Sequence, residues 1–233
     1  MLAQWSMKKL LGIPAIFFLM LTSPAYADLD KANNGGYATS INELKPLAEQ
    51  GHASAQFNLG DMYYFGKGVT QDYKAALKWY KLAAEQGNPN AQYNLGNMYD
   101  YGKGVTQDYK KAIKWYKLAA EQGNPNAQYN LGTKYRLGKG VTQDYKTSAK
   151  WIKLAAEQGY SFAQYRLGIL YIEGKGILKD YTLSHMWLNI AASQGEKEAV
   201  EYRDMVEKLM TLTQYAEAQK LARECVTKNY KGC

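Results

Sequence analysis

Apolar positions recur with a helical period along most of the chain, and the pattern restarts every 36 residues. Within the stretch 87–122, Ala91, Leu95 and Met98 stand three or four residues apart and predict the buried face of a short helix. A glycine-rich turn follows, and a second apolar series around Tyr116 predicts another helix. Each unit is therefore predicted to be a helical hairpin.

The repetition can be followed letter by letter. The string WYKLAAEQGNPNAQYNLG occurs twice, starting at Trp79 and Trp115, and GKGVTQDYK occurs three times, starting at Gly66, Gly102 and Gly138. A fixed period of about 20 to 50 residues is typical of a solenoid whose stacked units share one core. Such an array offers an extended surface rather than an enclosed pocket, so the pattern favours binding over catalysis.

Capping residues and glycines indicate where the helices begin, end and cross. Asn88 followed by Pro89 predicts an N-cap and a first helical residue, and Asp108 predicts the N-cap of the second helix. Gly123 stands where a C-terminal glycine cap belongs. Gly96 falls inside the first helix, as do its equivalents in the other units, and predicts a close approach of the two helices.

The first 27 residues have the layout of a secretory signal peptide. Two lysines precede the apolar run Leu10–Leu21, and a small-residue cleavage sequence, Ala-Tyr-Ala, ends at Ala27. The run is too short to cross a bilayer, and no later apolar stretch reaches the length of about 18 residues that a membrane span needs. We therefore expect initiation at Met7, export to the periplasm or the medium, a mature chain that begins at Asp28, and no membrane span after cleavage.

The register of the repeats sets the expected segment boundaries. A flexible lead at 28–36 precedes a degenerate half-repeat at 37–50, and two amphipathic helices within 195–233 are expected to cap the far end. Between them lie four full units, at 51–86, 87–122, 123–158 and 159–194. The folded part is predicted to be one elongated domain.

Charge and cysteine content narrow the functions. The formal net charge is +8, but lysines and acids recur at equivalent places in each unit and so spread both signs around the surface. Nucleic-acid binding needs a clustered basic face and is not expected. Cys225 and Cys233 are expected to form a disulfide in an exported chain. The alternative, a redox or metal site, is disfavoured because the spacing is not C-x-x-C and no histidine is close.

Signatures of catalysis are missing from the predicted mature chain. His52 and His185 occupy non-equivalent repeat positions outside any H-E-x-x-H motif, and no G-x-S-x-G elbow occurs. The one Ser-x-x-Lys, Ser6–Lys9, lies in the leader. G-K-G-V lacks the spacing of a phosphate-binding loop and follows a helix. No catalytic residue, cofactor or metal is predicted.

The first two units share three consecutive motifs, A-x-x-x-L-G-x-x-Y, G-x-G-V-x-x-D and A-x-x-W-x-x-x-A-A-x-x-G. This pattern is similar to that of the Sel-1-like repeat family, relatives of the tetratricopeptide repeats. The resemblance covers about Gly51–Gln194 and implies an all-α, right-handed solenoid of helix-turn-helix units. For an exported bacterial member it implies protein–protein interaction at the cell envelope. Cysteine-rich relatives described as penicillin-binding or weakly β-lactam-hydrolysing carry a disulfide in each repeat, whereas these repeats contain no cysteine.

If the first helix of each unit lines a concave groove, as the tetratricopeptide resemblance implies, the positions that differ between copies are the candidate contacts. They combine aromatic side chains with charges of both signs, a composition typical of interface hot spots. The alternative is that the aromatic series beginning with Phe57 only packs between adjacent repeats. The predicted ligand-binding residues are Phe57, Asp61, Tyr64, Phe65, Tyr93, Asn97, Asp100, Tyr101, Tyr129, Arg136 and Tyr165.

The charge along this groove is expected to change from repeat to repeat. Lys134 and Arg136 in the third copy replace Met98 and Asp100 of the second, so an acidic and aromatic end should give way to a basic middle. We predict a non-catalytic scaffold of the bacterial envelope or secreted space that binds a protein or peptide in the groove. The alternatives are an enzyme acting on a cell-wall or β-lactam substrate, and a structural subunit held through its convex face or caps.

Overall fold

The computed structural model describes residues 41–233 of the chain. The predicted signal peptide, the flexible lead and the start of the half-repeat lie outside these residues. Helices and turns alone make up the described part, and the predicted all-α solenoid is confirmed. In chain order the helices are α1 (Ile41–Glu49), α2 (Ala53–Phe65), α3 (Tyr73–Glu85), α4 (Pro89–Tyr101), α5 (Tyr109–Glu121), α6 (Pro125–Leu137), α7 (Tyr145–Ala156), α8 (Ser161–Glu173), α9 (Tyr181–Ser193), α10 (Lys197–Glu207) and α11 (Leu212–Thr227).

Each repeat consists of a helix A and a helix B that pack on each other and on the neighbouring repeats. The A helices are α2, α4, α6 and α8, and the B helices are α3, α5, α7 and α9. Every helix B packs on the next helix A, and α1 packs on α2 in the same way. At the other end, α10 and α11 both pack on α9. The core therefore runs the length of the stack between the two layers of helices.

Side-chain caps begin the helices where the sequence indicates. Asn88 accepts a hydrogen bond from the backbone N–H of Ala91, with Pro89 as the first residue of α4. Each helix B begins after an aspartate whose carboxylate accepts from backbone N–H groups of the first turn, namely Asp72, Asp108, Asp144 and Asp180.

The glycine inside helix A marks the closest approach of the two helices of a unit. A Cβ atom on Gly96 would lie 2.6 Å from Cδ1 of Tyr116, and one on Gly132 would lie 2.8 Å from Cγ1 of Ile152. Cβ atoms do not come so close to neighbouring carbons. The close approach predicted from these glycines is therefore confirmed.

Buried glutamines fix each helix A on the preceding helix B. The Gln92 side-chain amide donates to the carbonyl oxygen of Ala84 (3.1 Å), and its own oxygen accepts from Nε2 of Gln122 (2.7 Å). An unsatisfied buried amide would cost about 1–3 kcal/mol, so these bonds favour one arrangement of the helices. The same pair of bonds recurs at Gln56, Gln128 and Gln164.

The G-K-G turn joins each unit to the helix B of the unit before it. Gly104 has φ +68°, and a Cβ there would lie 2.5 Å from the carbonyl oxygen of Tyr73. The Lys103 ammonium lies 5.0 Å from the centroid of the Tyr73 ring, a cation–π distance. These lysines were expected from the sequence to be solvated surface charges, but they also contact the preceding repeat. Equivalent contacts join Lys139 to Tyr109 and Lys175 to Tyr145.

The C-terminal segment folds back onto the fourth repeat. Cys225 and Cys233 are bonded to each other, with their Cα atoms 5.6 Å apart. The Tyr230 hydroxyl lies 3.3 Å from Nε2 of Gln194, so the loop between the cysteines packs against the end of α9. These are the two cysteines that the sequence predicts to pair. Their oxidation in the cell depends on the predicted export.

Candidate functional site

The exposed sides of the four A helices form one surface, which we call the helix-A face. We number positions along each helix A from its first residue, so position 1 is Ala53, Pro89, Pro125 or Ser161. Positions 3, 4, 7, 8 and 10 are buried in all four copies. The helix-A face consists of the side chains at positions 2, 5, 6, 9, 12 and 13, which include every predicted groove residue.

The outer part of this face is aromatic and open to solvent. Tyr101, at position 13, exposes 65% of its surface, and Phe65 at the same position of the first repeat exposes 54%. Phe162, at position 2 of the fourth repeat, is 50% exposed. Large rings this exposed are available to a ligand, and their recurrence on one face is typical of a binding surface.

The aromatic residues at position 5 both pack and face outward. Phe57 lies 6.0 Å from the ring of Tyr80, and Tyr93 lies 6.1 Å from that of Tyr116, each on helix B of its own unit. Both remain partly exposed. The alternative that these rings pack between repeats therefore fits only the other two members of the series, since Tyr129 contacts Tyr160 of the next repeat and Tyr165 contacts Tyr202 of α10.

Tyr101 on this face and Tyr160, just before α8, are neutral at physiological pH. Burial, with the Asp100 carboxylate as the next contribution, raises the pKa of Tyr101. Burial likewise raises the pKa of Tyr160 to about 12, with smaller effects from Tyr93 and Tyr129. These hydroxyl groups therefore stay protonated, and they can donate hydrogen bonds to acceptors on a ligand.

Asp61 and Asn97, at position 9, link consecutive repeats. The Asp61 carboxylate accepts hydrogen bonds from the Tyr80 hydroxyl and from Nδ2 of Asn94 on the next helix A (3.2 Å). Burial, the largest effect, raises the pKa of Asp61, and these hydrogen bonds oppose it. Asn97 accepts from the Tyr116 hydroxyl at 2.7 Å in the same way. Both side chains were predicted as ligand contacts, and Oδ1 of each already accepts hydrogen bonds inside the stack.

Asp100 is placed differently from the prediction. It is 4% exposed, its carboxylate forms a buried ion pair with the Lys134 ammonium of the next repeat, and it accepts from the Tyr116 hydroxyl at 3.2 Å. The expected charge change between these two repeats is therefore neutralised within the protein. Asp100 does not offer its carboxylate to a ligand, because both of its oxygens are occupied and the group is buried.

The remaining predicted residues stay on the surface. Tyr64 is half-buried and packs edge-on against Phe65, with ring centroids 4.9 Å apart. Tyr165 packs against Tyr202 of α10 at 5.8 Å. Arg136 is half-buried and its Nε is fully enclosed, with no hydrogen-bond acceptor among the described residues.

Two residues of this face, Phe162 and Arg166, and the adjacent N-cap residue Tyr160 were missing from the predicted set. Tyr160 lies 5.4 Å from the ring of Tyr129 and 5.8 Å from that of Phe162, and Arg166 lies over the ring of Tyr165 at 5.5 Å. A sequence signal existed, since Tyr160 and Arg166 stand where the second and third copies have asparagine. Packing inside the unit does not require tyrosine or arginine at these positions, since asparagine serves there in those two copies.

The described residues contain no cluster of three histidine, cysteine, aspartate or glutamate side chains that could hold a metal ion. In the same part of the chain, none of the helices combines the length and apolar character needed to span a bilayer. His185 is fully buried beneath the C-terminal helices, 5.3 Å from the ring of Tyr215 and 3.8 Å from the Glu207 carboxylate.

Comparison with known families identifies the repeat. The family model for the Sel1 repeat matches four consecutive segments, at residues 53–88, 89–124, 125–160 and 161–196. These segments cover more than half of the chain. No curated protein matches the chain.

Several solved bacterial structures share the fold. A Sel1 repeat protein from Oxalobacter formigenes is 42% identical, with a TM-score of 0.66, over 71% of this chain and 48% of that one. The protective antigen c5321 of uropathogenic Escherichia coli, described as displaying an SLR fold, is 31% identical with a TM-score of 0.55, over 81% of this chain and 49% of that one. The immunity protein Pa5087 from Pseudomonas aeruginosa is 25% identical with a TM-score of 0.50, over 89% and 81%. The chain spans about half the length of the first two.

Proposed function

We propose, since the chain belongs to the Sel1 repeat family, that it binds a protein or peptide partner through the helix-A face. Sel1 repeat proteins are generally protein-interaction scaffolds and typically lack catalysis. The proposal adds that this chain is itself non-catalytic and acts in the bacterial envelope or secreted space. Support for that location comes from the predicted signal peptide and from the paired cysteines.

The observation that carries the proposal is the set of exposed rings on the helix-A face. Phe65, Tyr101 and Phe162 each expose half of their surface or more, whereas the other aromatic side chains of the A helices are half-buried or buried. Burial of apolar surface is favourable by about 25 cal/mol per Å². The fold leaves these rings in contact with water, so a partner that covers them would be stabilised by their burial. Tyrosine and arginine side by side are also the residue types most enriched at hot spots.

The solved relatives support binding in a general way. One is named a protective antigen and another an immunity protein, and neither name assigns a catalytic role. For this chain, the enzyme alternative is tested with a β-lactam reporter added to the purified, oxidised protein. Turnover above that of a buffer control would overturn the non-catalytic part of the proposal.

A second candidate rests on the C-terminal cap. Val200, Met205 and Leu209 are large apolar residues at least 37% exposed on or just after α10, and Leu212 at the start of α11 is 89% exposed. This surface suits a structural contact at the end of the stack. It would make the chain a subunit held through its cap rather than a scaffold with a bound ligand.

One crosslinking experiment separates these possibilities. A photoreactive amino acid is placed singly at Tyr101 on the helix-A face, at Lys117 on the opposite helix-B surface, or at Leu212 on the cap, and cells of the source organism are irradiated. The proposal expects a discrete crosslinked species from position 101 that is absent from position 117. Crosslinking only from position 212 would favour the structural subunit, and crosslinking from 117 alone would contradict both.

A further inference from the structure

Successive A helices meet at junctions formed by four equivalent positions. Positions 9 and 12 of one unit lie beside positions 6 and 10 of the next. The hydrogen bond from Asn94 to Asp61 joins positions 6 and 9, and the ion pair of Lys134 with Asp100 joins positions 10 and 12. An aspartate of the helix-A face is present at each of these first two junctions.

The third junction, between α6 and α8, has a different composition. Its positions hold Thr133 and Arg136 on α6, and Arg166 and Leu170 on α8. Because the units repeat one geometry, both arginines lie at this junction. The junction thus carries two arginines, and the aspartate found at each earlier junction is missing.

Neither arginine has a carboxylate partner within residues 41–233. The Arg136 Nε is enclosed without an acceptor, and Arg166 contacts the face of the Tyr165 ring. Three acids of the neighbouring helices have partners inside the fold: Asp100 pairs with Lys134, the Glu173 carboxylate lies 3.2 Å from the Lys175 ammonium, and Glu196 accepts a hydrogen bond from the Ser161 hydroxyl. A buried donor without an acceptor is destabilising, so the fold leaves a hydrogen bond from Arg136 unmade.

Aromatic rings border the junction at the N-terminal ends of the same two helices. Tyr129 and Tyr160 pack edge to face at 5.4 Å, and Phe162 continues the cluster at 5.8 Å from Tyr160. Phe162 is 50% exposed, so the cluster has an open apolar surface. A segment crossing from the arginines to these rings would meet positive charge first and apolar surface next.

We propose that the α6–α8 junction binds an acidic peptide segment of the partner, an inference that rests on the proposed function. A Glu or Asp carboxylate accepts hydrogen bonds from Arg136 and Arg166, and an adjacent apolar side chain covers Tyr129 and Phe162. Arginine suits this role because its planar donors match a carboxylate in a bidentate geometry. After removal of the predicted signal peptide, which holds two lysines and no acids, the formal net charge is 27 − 21 = +6, and it would also attract acidic segments to the protein.

The test uses a phage-displayed library of random dodecapeptides selected on the purified chain. Wild-type protein should enrich peptides with Asp or Glu beside an aromatic or aliphatic residue, and Arg136→Glu/Arg166→Glu should enrich Lys or Arg instead. The matched control, Lys114→Glu/Lys150→Glu, makes the same change of charge at exposed helix-B positions and should retain the acidic preference. The best peptide should bind Arg136→Ala/Arg166→Ala about tenfold or more weakly by fluorescence anisotropy.

The outcomes separate this inference from the proposed function. Enriched peptides without acidic residues, or equal losses in the arginine variant and the lysine control, would overturn the inference and leave peptide binding intact. No enrichment at all would count against the proposed function and the inference together. Circular dichroism melting of each variant ensures that a lost preference does not come from unfolding. If phosphate or acetate at millimolar concentration competes as well as the peptide, the junction is a simple anion site and the peptide proposal fails.

Discussion

The buried ion pair between Asp100 and Lys134 predicts a large loss of stability when only one partner is removed. The two side chains expose only 5% and 10% of their surface, so the pair is shielded from solvent. The equivalent of Lys134 in the second repeat is Met98, which shows that a methionine fits this position. Lys134→Met should therefore leave the packing nearly unchanged and remove the charge that neutralises Asp100.

The size of the effect follows from what Asp100 retains. Breaking a buried ion pair by removing one partner costs about 3–5 kcal/mol. Asp100 keeps the hydrogen bond from the Tyr116 hydroxyl at 3.2 Å, and the methionine buries more apolar surface than the lysine. We therefore expect a loss of about 2–4 kcal/mol, which for a domain of this size lowers Tm by about 5–15 °C.

The chain supplies its own control for this experiment. At the first junction the equivalent positions hold Tyr64 and Met98, so Asp100→Tyr/Lys134→Met rebuilds a combination that the stack already uses. The double variant should lie within about 1 kcal/mol of wild type, because replacing both partners by apolar residues removes the desolvation cost as well. Urea denaturation followed at 222 nm measures both variants. A Lys134→Met protein as stable as wild type, or a double variant no better than the single one, would refute the reasoning.

Three other predictions concern the turns, the C-terminal cap and the compartment. Gly104→Ala should lower the free energy of unfolding, measured by urea denaturation, by about 2–4 kcal/mol, because a positive φ is combined with a backbone clash. Gly68→Ala has a similar φ of +71° but only a methionine methyl within 4 Å, so it should cost about 1 kcal/mol. Equal losses in the two variants would exclude the clash as a cause. Burial lowers the pKa of His185 below its ordinary 6.5, so the unfolded chain binds a proton that the folded chain does not, and the free energy of unfolding should fall from pH 7 to pH 5 less steeply in His185→Leu than in wild type. Intact-mass measurement of protein from native cells should give a chain that begins at Asp28 with two cysteines that resist alkylation until reduced, and an uncleaved chain would contradict export.

The local structure could be predicted because its causes lie within a few residues. The Asn88-Pro89 start of α4 and the aspartate caps of the B helices need only a side chain and the next backbone N–H groups. Gly96 signals a crossing because no other residue fits beneath the ring of Tyr116. Because the sequence repeats every 36 residues, the same caps and helix crossings recur along the stack.

The roles of the charged side chains could not be predicted in the same way. Asp100 and Lys134 are 34 residues apart, and they meet because position 12 of one helix A lies beside position 10 of the next. The apolar pattern predicts which side of each helix is buried, but it does not predict which positions of neighbouring A helices lie beside each other. Asp61 was assigned outward for the same reason, although Oδ1 of its carboxylate accepts hydrogen bonds from Tyr80 and Asn94.

Once the offset is known, differences between repeats must be compared across junctions rather than position by position. In a stack held by nearest-neighbour contacts, a substitution at position 12 is tolerated when position 10 of the next unit changes to suit it. The first junction is apolar on both sides, the second joins an acid to a base, and the third places a cation beside an aliphatic side chain. The pairs are Tyr64 with Met98, Asp100 with Lys134, and Arg136 with Leu170. The third pair is the one that the fold leaves unmatched, because the enclosed Nε of Arg136 has no acceptor within residues 41–233, and a carboxylate of the proposed partner would supply one.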